Sequence, residues 1–141
     1  MIPVRRLPLL LAPLLLAPLQ EARAQASLQG AWLEEGTPCS EVFIASARGI
    51  AFRRPANAFA PAFIVSGKQL STPLATCRLA GRSAKGERQV LRLSCTTTVA
   101  TDTARAIFSP ATDGGMYRYH SLEGGIATRY QRCSRDSLKA S

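Results

Sequence analysis

Four cysteines, at positions 39, 77, 95 and 133, carry the most legible chemistry in this chain. None lies in a Cys-x-x-Cys pair, so neither thioredoxin-like redox chemistry nor a zinc knuckle is indicated. An even count in an exported chain reads as two disulfides, with three connectivities open on number alone. Catalysis has far less to work with. His120 is the single histidine, and most general acid–base schemes near neutral pH would need it. A Ser-His-Asp arrangement would recruit Ser109 or Ser121 with Asp113, yet neither serine sits in a nucleophile elbow. Glu34 and Glu35 are adjacent, and neighbours on a strand point to opposite faces, so they form no acid/base dyad. One histidine and scattered carboxylates supply no metal set. The expectation is a non-enzyme with no metal and no cofactor.

The compartment follows from the first residues. Arg5 and Arg6 precede a wholly apolar stretch from Leu7 to Leu19, and Ala22-Arg23-Ala24 offers small residues at a cleavage site. This is the three-part layout of a secretory signal. The apolar run falls short of the roughly 20 residues that span a bilayer. Pro8, Pro13 and Pro18 interrupt it, and each costs an interior helix about 3 kcal/mol. The reading is a signal peptide over 1–24, a single domain over 25–141, a periplasmic or secreted location, and no membrane-spanning segment.

Charge narrows the partners. The chain carries +9 at pH 7. Removing 1–24 takes away three arginines and one glutamate and leaves +7. Such a surface attracts anionic membrane, lipopolysaccharide, polyanions or acidic proteins weakly.

The elements that must position these residues are strands. Long helical periodicity is absent. Short runs rich in Val, Ile, Phe, Tyr and Thr alternate with Gly, Pro, Ser and Asp turn signals. Strands are predicted near 29–35, 41–46, 49–54, 62–66, 71–73, 75–83, 89–98, 103–109, 116–121 and 126–133, with a loose tail after 135. The fold class is all-β: a small antiparallel up-and-down barrel of about eight strands with two disulfides.

One hairpin fixes a disulfide. A three-residue loop at Lys85-Gly86-Glu87 sets Cys77 opposite Cys95, within bridging distance for a directly opposed pair. Cys39 and Cys133 then pair by elimination, tying the end of the first strand to the end of the last. The same register places Leu79, Leu91 and Leu93 on the cysteine face. It sends Arg78, Arg82, Arg88 and Arg92 to the other, a candidate anion-binding face. That face has no interleaved aromatic residues, so nucleic acid is not expected as a partner. Phe52, Phe59 and Phe63 lie in an apolar stretch that includes Ala60-Pro61-Ala62. They are candidates for a loop over a barrel mouth that contacts a ligand.

Gly30-Ala31-Trp32 on the first strand, with Arg129 and Arg132 on the last, resembles the calycin arrangement of lipocalins, avidins and bacterial metalloprotease inhibitors. The resemblance implies that Trp32 packs beneath one of these arginines across the closed floor of the barrel, as a cation–π pair. Ser27-Leu28-Gln29-Gly30-Ala31-Trp32, followed by Cys39, is most similar to the inhibitor branch. There a short N-terminal segment enters the protease cleft. Here that segment is 25–28, shorter than the family's, and four cysteines replace a single bridge. The expected function is a small non-catalytic binding protein, periplasmic or secreted, with an exported hydrolase or a small apolar ligand as its partner. The alternative is an inhibitor of an exported hydrolase, a protease or a lysozyme. A carrier needs an open apolar cavity, whereas an inhibitor needs a projecting loop or arm and tolerates a filled barrel.

Overall fold

The computed structural model describes residues 28–139. The expected signal peptide over 1–24 lies outside them. Ten strands form: β1 (Gly30–Glu34), β2 (Phe43–Ser46), β3 (Gly49–Phe52), β4 (Ala62–Ser66), β5 (Gln69–Ser71), β6 (Thr76–Lys85), β7 (Arg88–Thr96), β8 (Thr101–Pro110), β9 (Met116–Tyr119) and β10 (Ala127–Cys133). Among the described residues there are also two short helices, α1 (Cys39–Val42) and α2 (Arg135–Lys139). Eight strands close an antiparallel barrel in the order β1-β10-β9-β8-β7-β6-β5-β4, and β2 and β3 pair separately as a hairpin. Every barrel strand pairs with its neighbour along the chain, except that α1 and the hairpin are inserted between β1 and β4.

Two local expectations change. The run 41–46 divides into the end of α1 and the start of β2, because the chain turns through one short helix after Pro38 before it extends. Residues 135–139 are helical rather than loose. Leu138 packs on an apolar cluster, and Arg135 donates to the Ser46 carbonyl at 2.6 Å.

The β6–β7 hairpin also differs from the expected loop. Lys85 pairs with Arg88, leaving a two-residue turn at Gly86-Glu87. Gly86 takes φ 61, which suits the first central position of a hairpin turn where side chains are disfavoured. A bulge between Leu79 and Gly81 then absorbs one residue. The two departures cancel below the bulge, so Cys77 still stands opposite Cys95. The Cys77–Cys95 and Cys39–Cys133 disulfides are both formed.

Two apolar clusters hold the molecule. Inside the barrel, Trp32, Phe63, Leu91, Leu93, Phe108, Met116 and Tyr130 pack around the Cys77 side of its bridge. Outside it, Ala31, Leu33 and Ala62 from the outer faces of β1 and β4 pack with Cys39, Phe43 and Cys133. The second bridge therefore pins α1 to the outer wall at β10. Closure of the barrel itself comes from β1, which hydrogen-bonds to both β10 and β4. Two disulfides fit an oxidising environment. Among the described residues no helix is long and apolar enough to cross a membrane.

Candidate functional site

The floor of the barrel is built around Trp32, which is fully buried. Its indole Nε1 donates to the Leu28 carbonyl at 2.9 Å. The Arg132 guanidinium lies 4.3 Å from the Trp32 ring centre and also donates to the Gln29 carbonyl. Desolvation by burial pushes the Arg132 pKa below its ordinary value. Arg129 is elsewhere. It is three residues before Arg132, so strand alternation sends it to the outer face. There it donates to Glu35 at 2.7 Å, to Asp113, and to the Tyr117 hydroxyl at 3.2 Å. This cluster ties the loop after β1 and the β8–β9 turn to β10. The Arg129 side chain holds the Asp113 carboxyl down at about 2, helped by the Gly115 backbone N–H.

Above the floor the barrel is mostly filled. Phe63 packs against Phe108 and Tyr130 with ring centres 5.2 and 5.3 Å apart, and against Trp32 at 6.4 Å. A cavity of about 210 Å³ remains towards the mouth, lined in part by Phe63, Leu70, Leu93, Phe108, Arg118 and Tyr130. Ligand pockets usually run from about 300 to 1,000 Å³, so it is small for a drug-sized ligand.

The mouth itself is the better-developed feature. Up-and-down connectivity sends the 53–61, 72–75 and 97–100 connections to the same end of the barrel. Phe59 and Val99 are each 89 % exposed and Leu74 is 59 % exposed. All three are held by one device. The Thr72 hydroxyl accepts from the N–H of Leu74 and Ala75, and the Thr97 hydroxyl from those of Val99 and Ala100. The Asn57 side-chain oxygen accepts from the Phe59 N–H at 3.0 Å. Each apolar side chain thus stands two residues beyond an oxygen that fixes its turn, the geometry of ST and Asx turns. These connections line one groove of about 670 Å³, which reaches Phe52, Arg54, Pro55, Pro73, Leu74 and Thr97.

The candidate ligand-loop phenylalanines therefore separate. Phe52 lines the groove and packs on Phe43 at 5.3 Å. Phe59 projects into solvent, and Phe63 is buried inside the barrel. The arginine face divides too. Arg78, Arg88 and Arg92 lie on the outer wall. The bulge flips the parity of β6, so Arg82 stands opposite the buried Leu91 and belongs to the interior side. His120 is exposed in the connection after β9. Among the described residues no group of three or more His, Cys, Asp or Glu side chains is placed to hold a metal ion.

Sequence reasoning missed Leu74 and Val99. The available signal was an apolar residue two places after a threonine inside a four-residue turn, at Thr72-Pro73-Leu74-Ala75 and again at Thr97-Thr98-Val99-Ala100. No family model, no curated protein and no solved structure matches this chain.

Proposed function

We propose that this chain is a non-catalytic binding protein, periplasmic or secreted, that grips an exported hydrolase with the loop end of its barrel and inhibits it. The observation that carries the reading is the exposure of Phe59, Leu74 and Val99 on three turns that their own side-chain hydrogen bonds hold in shape. Turns already fixed in shape lose little backbone freedom on docking. Aromatic anchors at a patch centre carry most of the binding energy in protein interfaces. The mostly filled barrel favours a protein target over a carried ligand. The Trp32–Arg132 pair on the floor supports the calycin likeness in general.

The test is inhibition of a c-type lysozyme, a zinc metalloprotease and a serine protease by the wild type and by a Phe59→Ser, Val99→Ser variant. One enzyme should be inhibited at near-stoichiometric ratio. The variant should be weaker by roughly tenfold or more with an unchanged melting temperature. Failure against all three, or equal inhibition by the variant, overturns the reading.

The cavity of about 210 Å³ favours a second reading, a small apolar ligand held at the mouth. An apolar cavity of about 150 Å³ accommodates benzene in another protein. Trp32, the single tryptophan, packs on Phe63 at the cavity wall. A change in its fluorescence on adding benzene or toluene is expected on this reading, and its absence at saturating concentration rejects it.

A further inference from the structure

On the outer wall of β7 and β8, Arg92 and Arg105 stand directly opposite each other. Like charges in that position destabilise an antiparallel pair. Both side chains are exposed. The carboxylate oxygens among the described ion pairs are engaged by Lys85 and Arg129 instead. The bulge in β6 sets Gly81 opposite Arg92 on the other flank. The Arg92 guanidinium lies across it so closely that a Cβ on Gly81 would collide with Nη2. A side chain at 81 would displace the guanidinium.

A groove of about 530 Å³ runs along this wall, lined in part by Gly81, Ser83, Lys85, Arg92, Arg105 and Leu122. Its Leu122 wall is held in place. Arg88 packs 3.6 Å from the Tyr119 ring centre and donates to the Ser121 and Leu122 carbonyls at 3.2 and 2.9 Å. Arg88 is thus occupied in shaping the wall, while Arg92 and Arg105 present two guanidinium forks to the groove.

We infer that this groove binds a phosphate monoester. A guanidinium matches two oxygens of a tetrahedral oxyanion with parallel hydrogen bonds. Two of them balance a charge near −2, and Ser83 adds a donor at the rim, where Lys85 is paired with Glu123 at 2.7 Å. The bound dianion relieves the repulsion between the paired arginines, so the arrangement is unfavourable empty and favourable filled. The phosphate belongs either to a soluble phosphorylated sugar or to a phosphorylated lipid headgroup. The site lies apart from the loop end and does not depend on the proposed hydrolase target.

The experiment measures melting temperature of the exported protein in inorganic phosphate and in sodium chloride of equal ionic strength, for the wild type, Arg92→Gln, Arg105→Gln and Arg78→Gln. Phosphate should raise the wild-type and Arg78→Gln midpoints above the chloride values. In low salt without phosphate, Arg92→Gln and Arg105→Gln should melt at or above the wild type. They should lose the phosphate-specific rise, with affinity by calorimetry lowered roughly tenfold or more. Equal shifts in phosphate and chloride, or an undiminished phosphate shift in Arg105→Gln, overturn the proposal. Phosphatidylcholine vesicles with and without phosphatidate separate the sources. Arg105-dependent retention on phosphatidate vesicles assigns the lipid headgroup. Phosphate binding without such retention assigns the soluble ester.

Discussion

The Arg132 guanidinium lies 4.3 Å from the centre of the Trp32 ring, and each of the two residues also hydrogen-bonds the chain that enters β1, at Gln29 and Leu28 respectively. The last strand and the entry to the first are thereby locked together on the floor of the barrel. The lock joins an apolar contribution, the buried indole, to an electrostatic one, a cation over an aromatic face.

Those two contributions separate in a double-mutant cycle. Trp32→Ala removes a large buried aromatic and leaves a cavity, so it should cost about 3–5 kcal/mol. Arg132→Ala should cost less. The coupling between them should be about 0.5–2 kcal/mol, the range for a cation–π pair partly removed from water. Denaturant unfolding of the four proteins measures it. Strict additivity would show that the two residues act independently.

The Asp113–Arg129 pair sets a pH dependence. Arg129 holds the folded carboxyl of Asp113 at about 2, below its usual 3.8. A carboxyl depressed on folding adds stability that is complete above its unfolded value and is lost as pH falls through the folded one. The advantage of the wild type over Asp113→Asn should therefore be constant above about pH 5, shrink between pH 4 and 2, and vanish below. The carboxyl is exposed, so the advantage should be small and weaken with added salt. Thermal melts of both proteins across that range test the sign.

His120 is expected to be dispensable. It is exposed in the connection after β9, and the proposed contacts lie on the loop end and the outer wall of β7 and β8. His120→Gln should change neither the melting temperature nor hydrolase inhibition by more than twofold. A variant that keeps its stability but loses all function would point instead to chemistry centred on the imidazole.

Much of this architecture was legible in the sequence because strand alternation is a strong constraint. Leu79, Leu91 and Leu93 share a face with Cys77 and Cys95 only when paired numbers sum to an even value, and of these registers the one with a turn near Gly86 sets the cysteines directly opposite. The bulge near Ala80 was not legible. A one-residue insertion inside the strand and a turn one residue shorter leave the cysteines where they were, yet they move Arg82 to the other side. The helix at Cys39–Val42 left no signal because four residues are too few to show a period, and Val42-Phe43-Ile44 reads as strand. Phe59 was recognised as a loop residue, but its full exposure depends on the Asn57 turn, which sets the direction of the side chain. Arg105 acquires meaning only from its partner across the sheet, Arg92.

The two disulfides should differ in what they stabilise. Cys77–Cys95 closes 18 residues within one hairpin, and Cys39–Cys133 closes 94. On the chain-entropy view, the stabilisation grows with the logarithm of loop length, giving about 3 kcal/mol for the first and about 5 kcal/mol for the second. Location adds a further distinction. The Cys77 side faces the inner core, whereas Cys39 and Cys133 sit in the outer cluster with Phe43 and Ala31. Replacing Cys39 and Cys133 with Ser should therefore lower global stability more. It should also raise hydrogen exchange in α1 and the β2–β3 hairpin, which that bridge pins to the barrel wall. Replacing Cys77 and Cys95 with Ser should loosen β6 and β7 and leave the hairpin protected. Exchange measured by peptide mass spectrometry on both double variants decides it. Equal exchange in the hairpin for the two would show that packing of Phe43 and Phe52 alone holds it in place.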